Sequence, residues 1–319
     1  MDIRPSILDA IGNTPLVRLA RIHPPGNLVA KIEYVNPGGS IKDRIGLAMI
    51  EAAERDGLLQ PGGTIVEPTS GNTGVGLAMA AAIKGYRLVC VMPDKMSQEK
   101  IDGLRAYGAE VHVAPTDVEP DDPRSYYAVA ARLVDEIPGA FSPNQYSNPA
   151  NPEAHYRSTG PEIWEQTDGQ IDALVLGVGT GGTVTGAARF LKEQKPAVQV
   201  IGVDPVGSIY TARSDDEVHT YLTEGVGEDF WPETFDPSLV DRFLRVSDAA
   251  AYSMSRHLAT TEGVLVGSSG GMAVVGALEV AVEAPGDLVV VILPDSGRSY
   301  VSKVFNDEWI NEHGLGERS

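Results

Sequence analysis

Within Asn36-Pro37-Gly38-Gly39-Ser40-Ile41-Lys42-Asp43-Arg44 a lysine stands at the expected start of a helix. Pro37, Gly38 and Gly39 belong to a loop, Ser40 is a good N-cap, and Ile45 to Ile50 continue as a helix. The positive end of a helix dipole and the unpaired first-turn N–H groups disfavour an extra proton on such an amine. An amine poised this way suits Schiff-base formation with a carbonyl compound. Taken alone, the same nine residues better describe an ordinary surface lysine in a helical first turn, so the rest of the chain decides.

Gly177-Val178-Gly179-Thr180-Gly181-Gly182-Thr183 lies between an apolar strand and a helix. Its glycines let backbone amides approach an anion closely, the helix start adds partial positive charge, and Thr180 and Thr183 add hydroxyl donors. It lacks the Gly-Lys-Ser/Thr ending of a P-loop, and a phosphate monoester suits it better, with a plain strand-to-helix turn as the alternative. A second polar nest, Thr69-Ser70-Gly71-Asn72-Thr73, opens another helix and can either hold a carboxylate or simply cap. Gly267-Ser268-Ser269-Gly270-Gly271 reads as a third loop of this kind. Three anion-friendly loops and one helix-start lysine in a single chain are hard to attribute to coincidence.

The elements that must position these groups alternate along the chain. Strands are expected at 28–33, 64–67, 88–92, 111–113, 171–176, 198–203 and 288–293, each a short apolar or alternating run. Helices are expected at 75–82, 97–107, 126–137, through Phe190, and at 248–261. Pro115 to Ser125 is acidic and reads as a surface loop, Gln145 to Asn151 as a turn-rich boundary between subdomains, and Ser214 to Asp229 as irregular and mobile. Such alternation predicts a parallel sheet with helices on both faces.

At 319 residues the chain is long enough for two subdomains. A net charge of −19 excludes the basic footprint that nucleic acid or an anionic membrane surface requires. With eight lysines in all, a bound phosphate must be held mainly by backbone amides. Cys90, the single cysteine, sits in the apolar run Leu88–Met92 and reads as core, and no cluster has zinc-ligand spacing. No signal peptide or bilayer-length apolar run is read, so a cytoplasmic protein is expected.

From about Ile11 to about Trp309 the chain resembles the pyridoxal-phosphate enzymes of fold type II, through IGNTPLV, NPGGSIKDR, EPTSGNTG, GVGTGGT and the late serine loop in that order. Within that group it is similar to the cysteine synthase/cystathionine β-synthase family. The β-synthase branch is favoured by Asp122-Pro123-Arg124-Ser125, Gln145-Tyr146, Glu224-Gly225-Val226-Gly227 with Asp229-Phe230, and Leu293-Pro294-Asp295-Ser296. The resemblance implies an α/β architecture of the tryptophan synthase β type, with pyridoxal 5′-phosphate in the cleft between two α/β subdomains. These are expected at approximately 43–146 (mobile) and at 1–42 plus 147–319. It implies that Lys42 carries the cofactor and later moves the α-proton, and that Asn72 bonds the ring hydroxyl. It gives the phosphate to Gly179, Thr180, Gly181, Gly182 and Thr183, and the pyridine nitrogen to Ser269. Thr69, Ser70, Gly71, Thr73 and Gln145 match the substrate carboxylate site, and Tyr146 and Gly227 join the substrate contacts. A serine opposite the nitrogen does not hold a proton there, which suits β-elimination and replacement.

The implied reaction condenses L-serine with L-homocysteine to L-cystathionine through an aminoacrylate, in a homodimer, without metal. Rival readings are a cysteine synthase using O-acetylserine and sulfide, a dehydratase stopping at the aminoacrylate, and a non-catalytic cofactor- or partner-binding protein. Glu228 departs from the aromatic residue that related synthases often carry there. Neither a haem-binding extension nor a C-terminal regulatory domain is expected within 1–319, and Asn311 to Ser319 read as the start of a linker to a removed domain.

Overall fold

Continuous apolar runs predict strands covered on both faces, and the structure places them in two separate sheets. This computed structural model describes residues 3–23, 27–69, 71–94, 96, 98–118 and 122–316. The chain divides into two compact units, Met1–Ile11 with Asn36–Asn151, and Gly12–Val35 with Pro152–Ser319.

In the first unit, β3 (Thr64–Pro68), β4 (Arg87–Pro93) and β5 (Glu110–Ala114) form a parallel sheet in that order. Cys90 in β4 is fully buried opposite Glu67 of β3, and its thiol is pushed up to about 12 by burial and by the Glu67 charge. Helix α4 (Tyr126–Glu136) covers one face, packing Ala130, Val129 and Leu133 on Val66, Val89 and Val91. Helices α1 (Lys42–Arg55) and α2 (Asn72–Lys84) cross with glycine against backbone. A Cβ on Gly46 would stand 2.6 Å from the Gly76 carbonyl carbon, and one on Gly76 would stand 2.7 Å from the Lys42 carbonyl oxygen. Only hydrogen fits at either position, so the close crossing fixes the start of α1 against α2. Helix α3 (Gln98–Ala106) completes this unit.

The second unit holds a six-stranded sheet. Its strands are β1 (Leu16–Arg18), β2 (Leu28–Ile32), β6 (Ala173–Gly177), β7 (Gln199–Pro205), β8 (Arg242–Val246) and β9 (Val289–Leu293), in the order β1-β2-β9-β6-β7-β8. Only the β1–β2 pairing is antiparallel. Helices α7 (Gly182–Gln194), α8 (Asp248–Thr261) and α9 (Ser268–Glu283) accompany it, and α9 buries Met272, Ala273, Ala277 and Val280 in the core that β2, β6, β7 and β9 share. Two short helices, α5 (Ala150–Arg157) and α6 (Thr159–Gln166), and the terminal α10 (Asp307–Glu312) were not anticipated, nor was β8. Lys31 is a lysine in a fully buried strand. Its ammonium donates to the Thr14 carbonyl at 2.6 Å, to Glu162 at 2.7 Å and to Gln166 at 2.8 Å, which satisfies all three protons.

Two local expectations are corrected. Gly267–Gly271 is not a loop: Gly267 is the N-cap, and Ser268, Ser269, Gly270 and Gly271 form the first turn of α9. The segment 214–229 is irregular as expected, but its far end is anchored, with the Gly227 N–H donating to the Val178 carbonyl at 2.7 Å and the Glu228 N–H to the Ser208 hydroxyl at 3.2 Å. No helix among the described residues is long and apolar enough to cross a membrane.

Candidate functional site

Lys42 is the first residue of α1, half-buried, and its backbone N–H donates to the Ser40 hydroxyl oxygen at 3.2 Å. Ser40 therefore serves the helix start as expected, although the cap position itself is Ile41. The loop ahead of it is clamped by Asp43, whose buried carboxylate accepts the Gly38 N–H at 2.6 Å. The lysine thus projects from a fixed helix end rather than from a free loop.

The second nest begins beyond the carboxyl end of β3, where ligand-binding loops of parallel sheets lie. Thr69 is buried, and its hydroxyl oxygen accepts the N–H groups of Gly71 and Gly74, both at 3.2 Å. With its lone pairs so used, that hydroxyl has its proton left to give to an acceptor. Gly71 has φ +146°, a conformation L side chains rarely adopt, and Asn72 is the first residue of α2. Thr73 donates its hydroxyl proton to the Gln145 side-chain oxygen at 2.7 Å, and Asn151 donates to the Gln145 carbonyl at 2.7 Å. Thr69, Gly71, Asn72, Thr73 and Gln145 therefore gather at the start of α2, with Tyr146 following on the same turn, its N–H donating to the Asn144 side chain at 3.3 Å. Ser70 lies outside the described residues.

In the second unit the glycine run follows β6, and α7 starts at Gly182 with Gly181 as its cap. Gly181 has φ +77°, and a Cβ there would run into Phe235, standing 2.7 Å from its Cα. On Gly179 a Cβ would stand 2.8 Å from the Gly225 carbonyl oxygen. Outer bonds hold the run in shape: Tyr210 donates to the Gly179 carbonyl and Thr234 to the Thr180 carbonyl, both at 2.6 Å. Burial raises the Tyr210 phenol, which keeps it a donor. The Gly179 and Thr180 carbonyls are thus engaged, and at the start of α7, the helix end that favours an anion, the Gly182 N–H meets the Thr180 hydroxyl oxygen at 3.4 Å. Thr183 meets the Nε2 of the fully buried His155 at 3.2 Å, and His155 Nδ1 meets Thr159 at 2.9 Å. Gly227 reaches this cradle through its bond to Val178. Ser269 is buried in the first turn of α9, one turn before Met272, whose methyl group would meet a Cβ on Gly177 at 3.2 Å.

Each unit thus carries a constellation that the sequence singled out: the amine and carboxylate nest in the first, the amide cradle and Ser269 in the second. A cradle of backbone N–H groups and two threonine hydroxyls at a helix start, with glycines that tolerate no Cβ, fits a phosphate monoester. A half-buried lysine at a helix start fits an aldehyde partner. The donor set therefore fits pyridoxal 5′-phosphate. No group of three or more His, Cys, Asp or Glu suited to a metal ion occurs among the described residues.

Sequence reasoning missed the residues behind these loops: Glu67, His155, Tyr210, Thr234 and Phe235. Only Glu67 left a signal, as an acid at the end of an otherwise apolar strand. It is 1% exposed, and its carboxylate accepts the Asn144 N–H at 3.0 Å together with the Gln145 N–H and the Ser142 hydroxyl. Burial pushes its carboxyl up to about 7 against the pull of those donors.

A family model described as "Pyridoxal-phosphate dependent enzyme" matches residues 7–295. Cystathionine beta-synthase of Oryctolagus cuniculus is 51% identical over 323 residues, covering 99% of this chain and 59% of its own length. That of Saccharomyces cerevisiae is 43% identical, covering 98% of this chain and 65% of its own. The chain spans about three fifths of the length of the curated relatives it matches. Among solved structures, a hydrogen sulfide-producing enzyme from Fusobacterium nucleatum superposes with a TM-score of 0.88 at 39% identity, covering 94% of this chain and 99% of that one. O-ureido-L-serine synthase superposes with a TM-score of 0.89 at 38% identity, covering 99% and 98%.

Proposed function

This chain belongs to the family of pyridoxal-phosphate-dependent enzymes, and from that premise we propose that it condenses L-serine with L-homocysteine to give L-cystathionine and water. The observation that carries the reading is identity of 43–51% to cystathionine beta-synthases from mammals, insect, slime mould and yeast over 98–99% of the chain.

When bound, pyridoxal phosphate supplies an aldehyde for an amine and a ring that draws electron density from the amino-acid Cα. Lys42 would hold it through Nζ, and the same amine, when free, would take the proton from the serine Cα and later return it. The N–H groups of Gly179 to Thr183 and the hydroxyls of Thr180 and Thr183 bind the phosphate. Asn72 bonds the ring hydroxyl and Ser269 the ring nitrogen. Thr69, Ser70, Gly71, Thr73 and Gln145 hold the serine carboxylate, with Tyr146 and Gly227 beside the substrate. The Cβ–O bond of serine breaks, its oxygen leaves as water, and the homocysteine sulfur forms the Cβ–S bond. The two subdomains, with the cofactor in the cleft between them, and a cytoplasmic homodimer belong to the same proposal, supported by the family resemblance.

Mass spectrometry of products from serine with homocysteine, and from O-acetylserine with sulfide, tests it. Cystathionine as the main product in the first arm is expected. Cysteine formed in the second arm with none in the first would overturn the choice of thiol.

A further inference from the structure

Gln145 is 78 residues beyond Glu67 in sequence, yet the fold brings its N–H to the Glu67 carboxylate. The chain returns to β3 at Phe141, whose carbonyl accepts the Val66 N–H at 2.9 Å and whose N–H donates to Thr64 at 2.9 Å. Backbone pairing ends there. The next residues, Ser142 to Gln145, must turn away from the sheet, with Asn144 at φ +48°. Past Phe141, the Asn144 N–H bonds a side chain of β3 instead of its backbone. Glu67 supplies the acceptor: one carboxylate takes the Ser142 hydroxyl and the N–H groups of Asn144 and Gln145. The turn then sets the Gln145 side chain on Thr73 and its carbonyl on Asn151.

We propose that Glu67 is the positioning residue of the amino-acid seat: its buried carboxylate holds the 142–145 turn so that Gln145 and Thr73 meet the substrate carboxylate in register. This rests on the reading of Thr69, Thr73 and Gln145 as the seat for serine. Glu67 touches no substrate itself. An ionised carboxylate accepts from all three donors, whereas a protonated one must spend one oxygen partly as a donor and attracts the N–H groups more weakly. Because burial brings Glu67 to about 7, the seat is tightest above that pH and loosens below it. The titratable group facing it is the Cys90 thiol across the strand pair, which stays protonated throughout this range. Val66, its neighbour in β3, faces α4, so Glu67 shares the opposite face of the sheet with Cys90, and no charged side chain among the described residues contributes to its shift.

The experiment compares wild-type holoenzyme with Glu67→Gln and Glu67→Asp between pH 6 and pH 8.5. Glu67→Gln is the isostere of the protonated acid. At pH 8 its KM for serine is expected about 5- to 30-fold above wild type with kcat within about threefold, the loss of one charged acceptor. At pH 6 the two should converge to within about twofold, while Glu67→Asp, weaker overall, keeps a pH-dependent KM. A second readout needs no turnover: hydrogen exchange of the 141–148 segment, corrected for intrinsic rates, should be faster in Glu67→Gln than in wild type at pH 8 and equal at pH 6. A KM ratio that is flat with pH, a loss confined to kcat, or unchanged exchange in 141–148 would overturn the proposal. If wild type does not process serine at all, the proposed reaction fails, and the exchange measurement still decides whether Glu67 holds the turn.

Discussion

Replacing Gly181 by alanine separates two costs that the glycine cradle combines. The residue sits at φ +77°, and a methyl group there would be driven into the Phe235 backbone and ring. Left-handed backbone in a non-glycine residue costs about 1–3 kcal/mol, and overpacking a filled site adds about 1–3 kcal/mol. Gly85, the αL cap of α2 at φ +78°, carries only the first cost, because nothing lies within 4 Å of its would-be Cβ. Gly85→Ala is therefore expected to lower stability by about 1–3 kcal/mol and leave cofactor affinity within about twofold. In Gly181→Ala the cradle must open to admit the methyl group, and binding phosphate must close it again. Cofactor affinity should then fall by the overpacking cost, about 5- to 150-fold. Titration of cofactor-stripped protein, followed by absorbance and by thermal melting, reads both quantities. Equal cofactor affinity in Gly181→Ala and wild type, or equal losses in the two variants, would refute the assignment of Gly179–Thr183 as the phosphate cradle.

Lys42→Ala should abolish reductive trapping of the cofactor on the α1 peptide and lower turnover by at least about 10²-fold, the contribution of a positioned acid–base group; trapping that persists, mapped to another lysine, would reassign the site. Lys31→Met removes the buried ammonium that Thr14, Glu162 and Gln166 share, and should cost about 3–5 kcal/mol in denaturant melts. The Glu67 carboxyl gives a pH signature in stability with a definite sign. Its folded value of about 7 lies above the reference 4.5, so the native state binds the extra proton between them and loses stability as pH rises through that window. At about 1.4 kcal/mol per pH unit the loss approaches about 3 kcal/mol by pH 8. Glu67→Gln should therefore gain on wild type as pH rises, read from denaturation midpoints across pH 4.5–8, even while it binds serine less well.

How much of this was legible in the sequence depended on whether the signal was local. The expected helix 248–261 matches the structure to the residue, and there Ser247 caps it. The lysine at the start of α1 and the glycine run at the start of α7 were equally plain, each being a punctuation mark between a loop and a helix. Helices α5 and α6 were not, because Pro152, Gly160 and Pro161 interrupt their pattern. In the sequence the glycines of 267–271 read as a loop. Those glycines are helical for a tertiary reason: a Cβ on Gly271 would lie 2.7 Å from the Ser255 nitrogen, so α8 and α9 approach closely only where one of them has no side chain. The split into two sheets and their strand order depend on pairings distant in the chain. Glu67 belongs with these, since an acid in a strand acquires its meaning only when the 142–145 turn comes back to it.

The glycine crossing of α1 and α2 has a consequence for inheritance. Positions 46 and 76 bear no functional group, yet any replacement adds atoms exactly where two main chains touch. Such a change would tilt the helix whose first residue is Lys42 relative to the one that begins with Asn72, spoiling aim without removing a reactive atom. Loss-of-function variants at these two sites would look innocuous in any inventory of catalytic groups, and trimming a neighbouring side chain would not recover them, because the atoms in the way are main chain.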